Sequence, residues 1–239
     1  MLGAFLVIAG IRFIEVMRII LKFPTRGRPQ QFLTTLKGWL DMAADPSSLA
    51  VLVSYDEDDA AMTPEIIAQA EAMHPALVAI KGRSKSKIDA CNRDLPEYAG
   101  DWDIVLLASD DMWCVRQGWD FLIYQKMAQY FPDTDGALWI FDGAQRKINT
   151  LECVGRKRWE VNGRVLYHPS YRSFWSDNET TAVGLRDKKL VFIEHSVAHH
   201  QHPSWLKGMK PDATYASNHP FWNADKANFY TRESQGFPP

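Results

Sequence analysis

Six short apolar runs punctuate the chain, at residues 19–23, 49–54, 77–80, 104–107, 137–141 and 190–193. Their hydrophobic residues are continuous rather than alternating, as in strands buried on both faces of a parallel sheet. Helical spacing fills several of the gaps. Over residues 29–43, Phe32, Leu33, Leu36, Trp39 and Leu40 share one side. A second helix is expected over 63–74, with Thr63 as N-cap and Pro64 in the first turn. A third is expected over 116–131, where Trp119, Leu122, Ile123, Met127 and Tyr130 recur at helical intervals. Strand and helix therefore alternate, which predicts an α/β fold with a mostly parallel central sheet. Beyond Leu206 the period is lost; that tail is expected to wrap the core and end in a short helix near 223–231.

Composition narrows the picture. The 239 residues carry 27 Lys+Arg against 29 Asp+Glu, with 46% hydrophobic and 12% aromatic residues. Such a chain can bury roughly 70–75% of its unfolded surface and needs no disulfide or metal to fold. Its net charge of −2 argues against a surface built wholly for nucleic acid, although local basic patches remain open. Cys91, Cys114 and Cys153 form no CxxC pair, which rules out a disulfide framework and a cysteine zinc site and suits a reducing, cytoplasmic setting. The apolar stretch at 2–9 is interrupted by Arg12, Glu15 and Arg18, too short a run to span a bilayer, and no integral membrane association is expected. Residues 1–16 read as an extension, residues 17–205 as the folded catalytic unit and 206–239 as the packing tail.

In an open α/β sheet, ligands bind beyond the carboxyl ends of the strands. The first strand runs into Pro24-Thr25-Arg26-Gly27-Arg28-Pro29 and the second into Tyr55-Asp56-Glu57-Asp58-Asp59. The third is followed by Lys81-Gly82-Arg83-Ser84-Lys85-Ser86-Lys87, and the fourth by Ala108-Ser109-Asp110-Asp111. Cations, backbone donors and carboxylates thus converge on one edge, as a metal–diphosphate ligand requires. Adjacent carboxylates at a buried strand end repel unless something positive sits there, and a divalent cation shared with phosphates meets that need. The plain alternative is that Asp110 or Asp111 caps a helix. The run from Lys81 to Arg93 is either a solvated face or a neutralising loop for phosphates, and contact with a nucleic-acid acceptor stays open. Asp177-Asn178-Glu179 reads equally as an acidic first helical turn or as the source of a general base. His195, His199, His200 and His202 cluster after the last apolar run, and His195, nearest its end, is the expected metal ligand among them. No GxGxxG or P-loop pattern is present.

Phe23-Pro24-Thr25-Arg26-Gly27-Arg28-Pro29, Lys85-Ser86-Lys87-Ile88-Asp89-Ala90-Cys91-Asn92, Ala108-Ser109-Asp110-Asp111 and Asp177-Asn178-Glu179 together resemble family 2 glycosyltransferases of the GT-A fold, in order, over residues 17–202. The resemblance implies a three-layer α/β/α architecture. It implies that Pro24, Thr25 and Arg26 line the nucleotide pocket, that Asp56 sits near the base, and that Lys87 or Asn92 faces the ribose or diphosphate. It also implies that Asp111, with Asp110, holds Mn²⁺ or Mg²⁺ against the diphosphate, that His195 is a third ligand, and that Glu179 or Asp177 is the base.

The expected activity is metal-dependent transfer of a sugar, with inversion, from a nucleotide-sugar donor (a UDP-sugar first) to a hydroxyl on a glycan or other acceptor, modified DNA included. Two rivals stand beside it. A nucleotidyltransferase shares the carboxylate–metal–nucleotide chemistry. A non-catalytic module on the same fold would bind nucleic acid through Lys81–Arg93 residues and Arg156-Lys157-Arg158.

Overall fold

The computed structural model describes residues 17–201 and 213–238; residues 1–16, and His202 with the stretch that follows it, lie outside the described residues. A seven-stranded sheet forms the centre. Its strands are β1 (Ile19–Thr25), β2 (Leu49–Asp56), β3 (Leu77–Gly82), β4 (Ile104–Leu107), β6 (Ala137–Ile140), β7 (Glu152–Gly155) and β8 (Leu190–Ile193), in the order β3-β2-β1-β4-β7-β6-β8. β7 runs antiparallel to both neighbours, and all other pairings in this sheet are parallel. A two-stranded ribbon, β5 (Met112–Cys114) against β9 (Ala198–His200), stands apart from the sheet.

All six expected strands are present. The sequence pattern does not find β7, because four residues beginning with a glutamate carry no strand signature. The three-residue strands of the ribbon escape for the same reason. The helices are α1 (Pro29–Asp41), α2 (Pro64–Glu71), α3 (Lys87–Asn92), α4 (Trp119–Tyr130), α5 (Arg156–Val161), α6 (Ser176–Arg186), α7 (Ala213–Asn218) and α8 (Trp222–Ser234). The expected tail helix is α8, somewhat longer than the pattern implied.

Side chains of β1 alternate between the two faces of the sheet. Ile19, Leu21 and Phe23 enter a core with Phe32, Leu36 and Trp39 of α1 and Trp119 and Ile123 of α4. Ile20 enters a second core with Ile88, Trp102, Trp159, Tyr171 and Phe229, contributed by α3, α5, α8 and the loops between them. This two-sided cover is the physical reason for the unbroken apolar runs.

One packing unit bears directly on the site. Trp39 and Trp119 meet edge to face with centroids 5.0 Å apart. The Trp39 indole donates to the Met112 carbonyl (2.8 Å), and the Trp119 indole donates to the Trp39 carbonyl (2.8 Å). Both rings are fully buried, an apolar gain of roughly 2–3 kcal/mol each. They tie α1 and α4 to the start of β5, and so hold the Asp110-Asp111 turn that leads into it.

Candidate functional site

The ends of β1, β2 and β4 bring together the residues singled out by sequence. Asp110 and Asp111 occupy the turn between β4 and β5, not a helix cap, and both are buried. The turn is fastened through its backbone: the Asp110 carbonyl accepts from Gln31 Nε2 (3.0 Å) and Thr35 Oγ1 (2.9 Å) of α1. The Asp110 carboxylate accepts from Arg28 Nη1 (2.6 Å) and Thr25 Oγ1 (3.3 Å). Burial pushes its pKa up to about 6 against the pull of Arg28, and the charge of Asp111 pushes it further.

Asp111 accepts hydrogen bonds from the Ser109 hydroxyl and from the Tyr215 hydroxyl on α7, and His200 Nε2 lies 3.7 Å from its Oδ2. Burial alone would raise this carboxyl, but the nearby positive charge of His200, helped by Lys87 and the Ser109 hydroxyl, holds it well below the usual range. On its other side His200 faces Asp142, with Nδ1 3.7 Å from Oδ2. Burial disfavours the imidazolium, yet the two carboxylates lift the pKa of His200 to about 9. Asp142 is itself fixed by the Thr150 hydroxyl (2.6 Å) and the amides of Ala144 and Gln145. Gly143, beside it, has φ +78°, and a Cβ there would lie 2.5 Å from the His199 ring, so glycine alone lets the loop close on β9.

The β5–β9 pairing explains which histidine enters the site. Met112 is in register with His200, the His200 amide donates to the Asp142 carbonyl (2.9 Å), and the Gln201 amide donates to the Asp111 carbonyl (2.8 Å). His195, the ligand expected from its nearness to the strand end, is instead exposed in the turn between β8 and β9. The register accounts for the placement: the chain continues past β8 and returns along β5, so the fifth residue on faces Asp111. Tyr215 and Asp142 carried no sequence signal, since each is brought in from far along the chain.

On the nucleotide side, Asp56 is buried and accepts from Arg26 Nη1 (2.7 Å) and the Ser84 amide (2.9 Å). Arg26 also grips Asp58 (2.6 and 3.0 Å), and the Gly27 amide donates to Asp59 (2.6 Å). The loops after β1, β2 and β3 thus form one linked wall, with Pro24 and Thr25 at the end of β1. Lys87 is exposed at the start of α3, and its charge acts on Asp111, Asp177 and His200, which places these four groups in one field. Asn92 stands differently. Its amide donates to the Tyr167 carbonyl (2.7 Å) and accepts from the amides of Leu166 and Tyr167 (2.9 and 3.0 Å), so it organises the loop before α6.

The two candidate bases are also unlike. Glu179 is buried and accepts from Arg232 Nε and Nη2 (both 2.8 Å) and the Tyr171 hydroxyl (2.7 Å). That carboxylate is locked to α8. Asp177 is half-buried at the start of α6, and its carboxylate accepts the Asn178 amide (2.9 Å), with no ion pair among the described residues. Burial raises its pKa, opposed by Lys87. A cavity of about 260 Å³ lies elsewhere, between α5, α6, the β6–β8 region and the chain's last residues. None of Asp110, Asp111, Asp177 or His200 lines it, so the site is argued from its charges rather than from that void.

Among the described residues no group of three or more His, Cys, Asp or Glu side chains could by itself hold a metal ion. Asp111 and His200 face each other across the site; a carboxylate and an imidazole that has given up its proton suit Mn²⁺ better than Mg²⁺, with the remaining positions going to substrate oxygens and water. Among the described residues no helix is long and apolar enough to cross a membrane.

No family model and no curated protein matches the chain. Its fold, in contrast, has close counterparts among solved structures. A mannosyltransferase from Pyrobaculum calidifontis in complex with GDP-Man and Mn²⁺ aligns with a TM-score of 0.64 at 16% identity, over 90% of this chain and 62% of that one. TarS residues 1–349 of S. aureus, in complex with UDP-GlcNAc, aligns with a TM-score of 0.59 at 12% identity, over 84% and 61%. The 4-diphosphocytidyl-2C-methyl-D-erythritol synthase of Anaerococcus prevotii aligns with a TM-score of 0.54 at 11% identity, over 80% and 93%. The chain therefore spans about three fifths of the two transferases it resembles. On that likeness of fold, and with a mostly parallel seven-stranded sheet covered by helices on both faces, the chain has the GT-A fold.

Proposed function

We propose that the chain is a metal-dependent glycosyltransferase that moves a sugar from a nucleoside-diphosphate sugar to an acceptor hydroxyl with inversion. The observation that carries this reading is Asp111 facing His200 (3.7 Å) beside buried Asp110, in the turn after β4 of a GT-A fold, with the charge of Lys87 acting on Asp111 and on Asp177. Asp56 and Arg26 present an acceptor and a donor to the nucleobase edge. Asp111 and His200 would hold the cation, which supplies charge stabilisation for the leaving diphosphate. Lys87 adds a second positive charge on the same side. Asp177 is the base. Its raised pKa and unpaired carboxylate suit a group that takes the acceptor proton as the acceptor oxygen bonds to the anomeric carbon. The bond from that carbon to the diphosphate oxygen breaks on the opposite side, and the nucleoside diphosphate departs.

The likeness to the erythritol synthase favours a second reading, a nucleotidyltransferase that releases pyrophosphate from a nucleoside triphosphate. One experiment separates them. The protein is incubated with Mn²⁺ and panels of nucleotide sugars and nucleoside triphosphates, and nucleoside diphosphate and pyrophosphate are followed. Diphosphate release from one sugar donor, abolished by chelator, is the expected result. Pyrophosphate release alone establishes the rival, and failure to bind any nucleotide with Mn²⁺ removes both.

A further inference from the structure

Around the starts of α3 and α6 lies a charged and aromatic surface that the proposed chemistry leaves unexplained. The sequence has two basic runs; the structure pairs one throughout and the other, among its close contacts, only at Arg93, which holds Asp94 (2.9 Å). Arg156, Lys157 and Arg158 are each paired, to Glu160 (3.2 Å), Asp133 (2.6 Å) and Asp187 (2.9 Å). Lys85, in the loop between β3 and α3, Lys87 at the start of α3 and Lys81 near the end of β3 are exposed and have no carboxylate partner among the described residues. Arg83 is 87% exposed and reaches Glu57 only at 4.0 Å.

This loop abuts the segment before α6. The Ile88 amide at the start of α3 donates to the Arg172 carbonyl (3.3 Å). Asp225 of α8 holds that segment by accepting from the amides of Arg172 (3.0 Å), Ser173 (2.8 Å) and Phe174 (2.8 Å). An aromatic ridge follows. Trp222 packs on Phe174 and Trp175 with centroids at 5.1 and 5.6 Å, and Tyr230 lies 5.9 Å from Trp175. Trp222 and Tyr230 remain 44% and 52% exposed. Cations interleave with the rings: Lys226 lies over Trp175 (5.6 Å) and Arg172 over Phe221 (4.9 Å). Trp175 has φ +65°, an uncommon conformation for a bulky residue, two residues before the candidate base.

Unpaired cations beside exposed rings are what a flexible polyanion with flat units requires: the charges follow its phosphates and the rings stack its bases. We propose that the surface formed by the β3–α3 loop and the Phe174–Trp175–Trp222–Tyr230 ridge docks a single-stranded nucleic acid and presents a hydroxyl on it to Asp177. The strand's role as acceptor rests on the glycosyltransferase reading, whereas its docking does not.

The test is fluorescence anisotropy of a labelled, mixed-sequence 15-nucleotide single-stranded DNA titrated with the full chain at several salt concentrations. Nucleotide binding with Mn²⁺ is measured on the same protein. Binding is expected to weaken steeply with salt. Trp222→Ala is expected to weaken it roughly ten-fold, and Lys85→Glu to lower both affinity and salt slope. Trp222→Ala, on an exposed position of α8 outside the donor site, should keep the nucleotide affinity of the parent. Absence of strand binding overturns the proposal. So does binding indifferent to both substitutions, or equally tight binding of polygalacturonate that ignores Trp222→Ala. Loss of nucleotide binding alone would defeat the glycosyltransferase reading and leave the docking surface standing.

Discussion

Two buried charge clusters solve the same electrostatic problem differently. Around Glu179, one carboxylate meets one guanidinium through two bonds of 2.8 Å, with a tyrosine hydroxyl completing the set. Charge and hydrogen bonding close on themselves, and the cluster pins α8 to α6. Around Asp111, three carboxylates (Asp110, Asp111, Asp142) share Arg28 and His200, and the strain is visible in the pKa of Asp110, pushed up to about 6. A closed pair stabilises. The cluster around Asp111 is where the proposed cation would sit. Position in the family-like motif did not separate Asp177 from Glu179, but their partners do.

Substituting the two α6 carboxylates should break this comparison most sharply. Asp177→Asn is expected to lower sugar transfer roughly 10²–10⁴-fold with nucleotide binding and thermal unfolding unchanged. Glu179→Gln should do the reverse, costing about 3 kcal/mol of stability by leaving Arg232 buried without its counter-charge. Equal effects of the two on catalysis, measured at a temperature where both are folded, would sink the assignment. Next in size, Asp111→Ala should cut donor turnover roughly 10²–10³-fold and leave the circular dichroism spectrum intact; near-normal turnover removes the cation site from Asp111.

A smaller effect concerns Glu152, buried on β7 with the Thr180 hydroxyl as partner. Burial lifts its folded pKa to about 8, against 4.5 for the free group. The folded state therefore retains a proton that the unfolded state has lost, and stability falls as pH rises from about 4.5 to 8. Glu152→Gln should remove that slope, raising stability near pH 8.5 relative to its effect at pH 4. Denaturant titrations at the two pH values read it directly. The smallest change is expected from Tyr215→Phe. Its hydroxyl occupies Asp111, so its removal should tighten Mn²⁺-dependent nucleotide binding by up to about ten-fold; weaker binding in calorimetry would show that Tyr215 supports the site rather than competes for it.

The first half of the chain was largely legible before folding. β1 to β4 are local apolar runs, and the loops behind them place Arg26, Asp56, Lys87 and the Asp110-Asp111 turn at one edge by topology alone. The second half was not. β5, β7 and β9 are too short for a pattern, and α6 declares itself only through an acidic turn that any helix might have. His200 was visible as one of a cluster, but choosing it over His195 required the register of the ribbon. Asn92 matched a motif position, yet its amide serves the backbone of Leu166 and Tyr167.

By itself, then, the order of apolar runs and the residues that follow them determined the layered fold and the edge where its chemistry gathers. Both follow from local hydrophobic pattern and from the rule that a parallel sheet exposes its strand ends together. Tertiary structure alone decided which carboxylate is held by Arg232 and which stays open, which histidine faces Asp111, and which basic run keeps its charge. Each of these depends on a partner brought from many residues away, and the free energy of a buried or paired charge is a property of that partner's distance, not of neighbouring sequence.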